Sequence, residues 1–159
     1  MTIRQATEAD APLLAELIRR AFSASAERLG LTLDNCPRHP FFTTPDRVAE
    51  MTAEGTAFVI AESDGTPCGC AGLREHEPGV GALRRLSVLP EWQRRGIGAT
   101  LVRHVVAQAR RRGMARLTLG IIASDHRLRA WYRTFGFADT ETKQFDGVPF
   151  TVTFMAMDL

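Results

Sequence analysis

Leu86-Ser87-Val88-Leu89-Pro90-Glu91-Trp92-Gln93-Arg94-Arg95-Gly96-Ile97-Gly98-Ala99-Thr100 is the stretch on which the reading of this chain turns. Ahead of it a strand pattern runs from Gly81 to Val88 and is stopped by Pro90. Behind it a helix runs from Gly96 to Arg112, with Ile97, Leu101, Val102, Val105, Val106 and Ala109 on one face. Arg103, Gln108, Arg110 and Arg111 fall largely on the other face, and Gly113 closes the helix. The turn from Gln93 to Thr100 therefore joins a strand end directly to a helix start. Glycines there let the backbone turn tightly and approach a ligand, while free amide hydrogens and the positive end of the helix dipole favour anionic oxygens. Arg94 and Arg95 add charge-assisted donors. Together these residues make a pyrophosphate cradle. Two other nucleotide loops do not fit. The Rossmann fingerprint would need Gly or Ala at position 101, which is Leu, and a P-loop would need a Gly-Lys-Ser/Thr that no nearby lysine supplies.

Working outward, the 159 residues are 45% hydrophobic and 24% charged, which suits one globular domain spanning 1–159 and leaves no room for a second. A net charge of +2 is too small to mark the molecule as a binder of nucleic acid or of membrane surfaces. The basic run Arg110-Arg-Arg112 occupies a helix end, where cations meet the negative end of the dipole, and lacks interleaved aromatics. No run of eighteen apolar residues occurs, and Met1-Thr-Ile-Arg4 is not a basic and apolar leader. Three cysteines, Cys36, Cys68 and Cys70, suggest no disulfide framework. A cytoplasmic protein is expected.

The remaining pattern predicts a strand at Thr2–Gln5, a helix from Asp10 to Phe22 capped by Thr7 and Asp10, and a second helix from Pro45 to Ala53. Between the helices the polar, Pro-bearing stretch from Ser23 to Pro45 reads as a long loop, in which Cys36–Phe42 is the candidate wall for a substrate. Phe41 and Phe42 pack either on that substrate or into the core. Strands at Ala57–Glu62, Cys68–Arg74 and Gly81–Val88, turned by Asp64-Gly65 and Pro78-Gly79, should form an antiparallel meander. A strand at Arg116–Ile122, a helix at Arg127–Phe135 and two strands flanking Asp146-Gly147 complete an α+β (mixed α/β) order. Cys36, His39, Cys68 and Cys70 lack the paired spacing of a zinc site, so no metal is expected. Cys68 and Cys70 read as small fillers facing the same side of the sheet.

The quoted stretch resembles the acetyl-coenzyme A motif of the GNAT (GCN5-related N-acetyltransferase) superfamily, whose core is Gln/Arg-x-x-Gly-x-Gly/Ala. A second block, Asp125 to Phe137, is similar to the family's following segment, ending in Tyr132-Arg-Thr-Phe-Gly136-Phe137. The element order agrees with the family across nearly the whole chain. The resemblance implies a mostly antiparallel, splayed sheet of six to seven strands flanked by about four helices, with the cofactor lying where strands 81–88 and 116–122 part. It implies that Leu86, Ser87 and Val88 offer backbone groups to the pantetheine arm and thioester carbonyl. The pyrophosphate falls to Arg94, Arg95, Gly96, Ile97, Gly98, Ala99 and Thr100, with Gln93 beside them and Arg127 and Arg129 as further phosphate partners. Asp125 stands where relatives commonly have Asn and joins the cofactor-binding set.

Tyr132, the one tyrosine in the chain, is implied as the general acid toward the departing thiolate. A phenol titrates near 10 and a thiol near 8.5, so the phenol still holds its proton at neutral pH. Many relatives place a glutamate on a central strand to deprotonate the amine. Here strand 81–88 carries only Arg84 and Arg85, so the candidates move to the hairpin residues Glu75, His76 and Glu77, with Glu75 favoured as nearest the strand. His39 and His126 are further candidates. The expected function is direct transfer of acetyl from acetyl-CoA to a primary amine, on a small molecule or a peptide, in a ternary complex. The alternative, favoured by the missing strand carboxylate, is an acyl-CoA-binding sensor. Homodimers are common among similar proteins.

Overall fold

The computed structural model describes residues 1–159. Its elements, in chain order, are β1 (Thr2–Gln5), α1 (Ala11–Leu29), α2 (Pro45–Ala53), β2 (Ala57–Ser63), β3 (Thr66–Glu77), β4 (Val80–Val88), α3 (Ile97–Arg111), β5 (Arg116–Ile122), α4 (His126–Arg133), β6 (Ala138–Gln144) and β7 (Thr151–Asp158). They build one mixed α+β sheet of seven strands in the order β1-β2-β3-β4-β5-β7-β6. Only the β4–β5 pair is parallel. No helix is long and apolar enough to cross a membrane.

Strand alternation sorts the apolar residues onto two faces. On β2, Phe58 and Ile60 pack with Leu14, Ile18, Val48 and Met51 of α1 and α2. Val59 and Ala61 pack with the α3 residues Leu101, Val102 and Val105 on the opposite face. Each such buried aliphatic side chain is worth about 1.5–3 kcal/mol, so α3 is held firmly on the sheet by its apolar stripe. Gly113 (φ 76) ends that helix as expected, its N–H donating to Arg110 O. Asp64 (φ 48) and Gly65 (φ 77) form the left-handed pair that a tight hairpin requires.

Two local readings are corrected. Helix α1 continues beyond Phe22 to Leu29, where Gly30 (φ 63) caps it and donates to Ala26 O. Ser23, Ala24 and Ser25 weaken the apolar signal, yet Ala26 is buried against Leu31 and Cys36 and extends the same face. Cys68 and Cys70 do not share a side. Ala61 pairs with Gly69 but Glu62 pairs with Pro67, so the extra residue Cys68 sits in a bulge. Cys68 joins the α3 face and Cys70 the α1 face, while Cys36 lies in a third cluster under the loop.

A second bulge interrupts β4. Cys70 pairs with Ser87 and Gly72 with Arg84, leaving Arg85 and Leu86 together opposite Ala71. Arg85 has φ 53, a left-handed conformation that a non-glycine residue rarely adopts. Close approach of strands here also fixes Gly69, where a Cβ would come within 2.5 Å of the Ser87 carbonyl oxygen. Gly69→Ala is expected to lose about 2 kcal/mol through overpacking and to lower Tm by roughly 4–8 °C. An unchanged thermal melt would show that β3 and β4 can part there without cost.

Candidate active site

Strands β4 and β5 pair through Val80–Arg116, Gly81–Leu117 and Ala82–Thr118, and then separate. Backbone amides and carbonyls on the β5-facing edge of β4 are left without a strand partner beyond Ala82. A cavity of about 1040 Å³ opens in the gap, lined by Leu86 and Val88 of β4, Leu119 and Ile121 of β5, and Asp125 and Tyr132 from the α4 segment. Unpaired backbone groups along an apolar slot suit an extended chain with amide groups of its own.

Of the cradle only Gln93 lines this slot, and Arg94–Thr100 follow it in the chain, outside the cavity lining. Arg94 (φ 62) and Gly96 (φ 80) are both left-handed, and they bend the chain so that α3 begins immediately. No side chain caps α3, so its first amides remain free for an anion. Arg94 and Arg95 are exposed, and the Arg95 guanidinium lies 4.8 Å over the Trp92 ring. Gly98 packs beneath α4, since a Cβ there would meet Trp131 ring carbons at 3.4 and 3.5 Å. Gln93 lines the cavity and donates through Nε2 to Val88 O at 3.3 Å. Thr100 turns its hydroxyl back to Gly96 O at 3.0 Å, and Ala99 beside it is half-buried.

Not every residue of the stretch faces outward. Ile97 is buried in the α3 core. Ser87 is buried and donates its hydroxyl to Arg85 O at 2.9 Å, so only its backbone is available to a ligand. Asp125 accepts from Leu128 N at 3.0 Å and is the N-cap of α4. Arg129 is committed to Ala123 O and Thr153 Oγ1, and Arg127 is exposed.

Tyr132, on α4, lines the cavity and is buried edge-on to Trp131 and Phe137 at centroid distances of 5.0 and 5.7 Å. Burial in this aromatic pocket, assisted by the nearby Asp125 carboxylate, raises the phenol above its ordinary range. The group therefore holds its proton more firmly than a free tyrosine does.

The hairpin candidates divide. The Glu75 carboxylate accepts from Gly79 N at 2.8 Å and braces the β3–β4 turn, a role that sequence reasoning did not assign to it. Its neighbour His76 lines the cavity, with Nε2 3.5 Å from Thr118 Oγ1 where β4 and β5 part. His126 is exposed at the start of α4. His39 does reach the cavity, but it is buried against Phe22, and its Nδ1 accepts from Phe41 N at 3.2 Å. Burial and then the charge of Arg85 bring its pKa down to about 4, so it is neutral at pH 7. Of the expected substrate wall, His39 and Pro40 line the slot, whereas Phe41 and Phe42 pack onto Ala26, Leu31 and Cys36. Sequence reasoning missed Ser25 and Arg28, which reach the cavity because α1 is two turns longer than its apolar signal.

The class is that of an acyltransferase, on the family match and on a relative over nearly the whole chain. The chain belongs to the acetyltransferase (GNAT) family, whose sequence profile matches residues 33–137. It is 33% identical to aminoglycoside N(6')-acetyltransferase type 1 of Stenotrophomonas maltophilia over 162 aligned residues, covering 93% of each chain. The fold matches the ribosomal-protein-S18-alanine N-acetyltransferase of Escherichia coli with a TM-score of 0.79 at 21% identity, over 99% of this chain and 92% of that one. It also matches yncA, a putative acetyltransferase of Salmonella typhimurium solved with its cofactor acetyl-CoA, with a TM-score of 0.76 at 23% identity over 100% and 94%.

Because Tyr132 is the only tyrosine, its titration can be read directly from tyrosinate absorbance. In the folded protein the midpoint is expected above the ~10 of a free phenol. Asp125→Asn keeps a capping side chain and removes the charge, so the midpoint should fall. A folded-state midpoint near that of the urea-unfolded chain, and indifferent to the substitution, would contradict the burial and charge assigned to this phenol.

Proposed function

We propose that the chain is an acetyl-CoA-dependent N-acetyltransferase that transfers acetyl directly to a primary amine while both substrates are bound. The observation that carries this reading is the parting of β4 and β5 beyond Ala82, with the cradle following Gln93 of the slot lining and a protonated phenol in that lining.

Coenzyme A fits the residues present. Uncapped amides of α3, with Arg94 and Arg95 beside them, match a pyrophosphate, and the partnerless edge of β4 at Leu86–Val88 matches the amides of a pantetheine arm. When bound, acetyl-CoA supplies an acyl group already activated as a thioester. Amides of β4 near Val88 would stabilise the thioester carbonyl oxygen as it becomes negative. Tyr132 Oη would supply the proton to the leaving sulfur, and burial keeps that phenol protonated at neutral pH. His76, at the fork of the strands, takes the proton from the incoming amine, while Glu75 secures the turn that positions it. Gln93 and Asp125 shape the cofactor side of the slot, the latter through the α4 start.

The protein works as one domain, and its three buried free thiols suit a reducing cytoplasm.

Thiol release over a panel of amines tests this assignment. Tyr132→Phe should lower kcat about a hundredfold while acetyl-CoA affinity stays nearly unchanged. Arg95→Ala should weaken acetyl-CoA binding about tenfold with a smaller effect on kcat. Normal turnover in the first variant, or normal affinity in the second, would remove that residue from its role. Separately, His76→Gln should lower kcat with acetyl-CoA affinity unchanged, whereas Glu75→Gln should mainly lower Tm. The reverse pattern would return the base to Glu75.

A further inference from the structure

We propose that the amine acceptor of this site is a small molecule carrying a carboxylate, of the amino-acid type, and that Arg85 is the residue that receives that carboxylate. This rests on the reading of the slot as an acyl-transfer site.

Arg85 occupies the β4 bulge in a left-handed conformation, and its side chain lines two cavities at once. One is the slot. The other is a polar cavity of about 340 Å³ behind it, walled by Arg38, His39, Thr44, Arg47 and Glu50. The Arg85 Nε is buried and has no hydrogen-bond partner. No carboxylate pairs with its guanidinium. Glu50, across the second cavity, pairs with Arg47 at 3.1 Å, and Glu54 is shared between Arg47 and Arg74. Burial, and then the neighbouring cations Arg84 and Arg47, push the Arg85 pKa down to about 10. The side chain is still charged at neutral pH. A guanidinium withdrawn from water without a counter-ion calls for an anion, and its planar fork suits a carboxylate.

The cofactor does not supply that anion. Its phosphates belong to the Arg94–Thr100 cradle, and the pantetheine arm along Leu86–Val88 is uncharged. Nor do the slot's own acids. Asp125 caps α4, and Glu141 pairs with Lys143 at 3.3 Å. Arg28, Arg84 and Arg116 also line the slot and take part in no ion pair. This is a hostile surface for a polycation. The anion that completes Arg85 therefore arrives on the acceptor.

The test compares free amino acids, with L-alanine, L-methionine and L-glutamate as probes, against their α-amides and against an aminoglycoside. Acetyl-CoA binding is measured separately by calorimetry. The free acids are expected to show kcat/KM about tenfold or more above their amides, the range set by one charge-assisted contact. Arg85→Gln should collapse that ratio toward one by raising KM for the acids, and Arg85→Lys, which keeps the charge, should restore part of it. Thermal melts identify any variant that has lost its fold, and the wild-type ratio stands without them. Turnover of amides or of the aminoglycoside at or above the rate for the acids would overturn the inference while leaving the acyl-transfer reading intact. Failure to bind acetyl-CoA would overturn that reading, and this inference with it.

Discussion

Everything at the site follows from one constraint: a strand buried in the middle of a sheet stops pairing with its neighbour after three residues. Beyond Ala82 and Thr118, β4 and β5 run apart, although β5 pairs with β7 along its whole length and β4 stays joined to β3. Each buried backbone group left unmatched costs about 1–3 kcal/mol. Such an opening survives only where surrounding packing holds it. The α3 stripe on one face and the α1–α2 cluster on the other provide that packing. The bulge at Arg85–Leu86 then turns the free edge of β4 along the gap.

Burial acts on the two most informative side chains in opposite directions and leaves both useful. Removing Tyr132 from water disfavours the phenolate, so the proton is retained. Removing Arg85 from water disfavours the guanidinium, but its ordinary pKa is so high that the charge persists. The slot thus offers a held proton on α4 and a held charge on β4. The second is legible only in three dimensions. In the sequence Arg84-Arg85 looks like a solvated pair, and nothing in its spacing reveals a left-handed bulge residue without a counter-ion.

Much of the fold was readable from the chain itself. The Pro45–Ala53 and Arg116–Ile122 boundaries agree with the structure residue for residue, because Thr44-Pro45 and Gly113 punctuate sharp changes of hydrophobic period. Errors arose where small residues mute that period. Alanine and serine in α1 hid its last two turns, and with them one wall of the cavity. Alternation also assumes a strand without bulges, so it put Cys68 beside Cys70. At the candidate site the cradle and Tyr132 followed from residue order and family resemblance. Which member of Glu75-His76 faces the slot depends on the turn's hydrogen bond to Gly79, a contact that sequence does not announce.

The chain has two tryptophans, and both border the Gln93–Thr100 loop. Trp92 lies under the Arg95 guanidinium, and Trp131 lies against Gly98. A loop that must present its amides to a ligand cannot be stiffened by hydrogen bonds to those same amides. Flat indole surfaces solve this without touching those amides: Trp131 braces the backbone at Gly98 by dispersion, and Trp92 holds the Arg95 guanidinium by a cation–π contact. Rigidity and vacancy are supplied by different atoms, and so the loop is firm before anything binds to it.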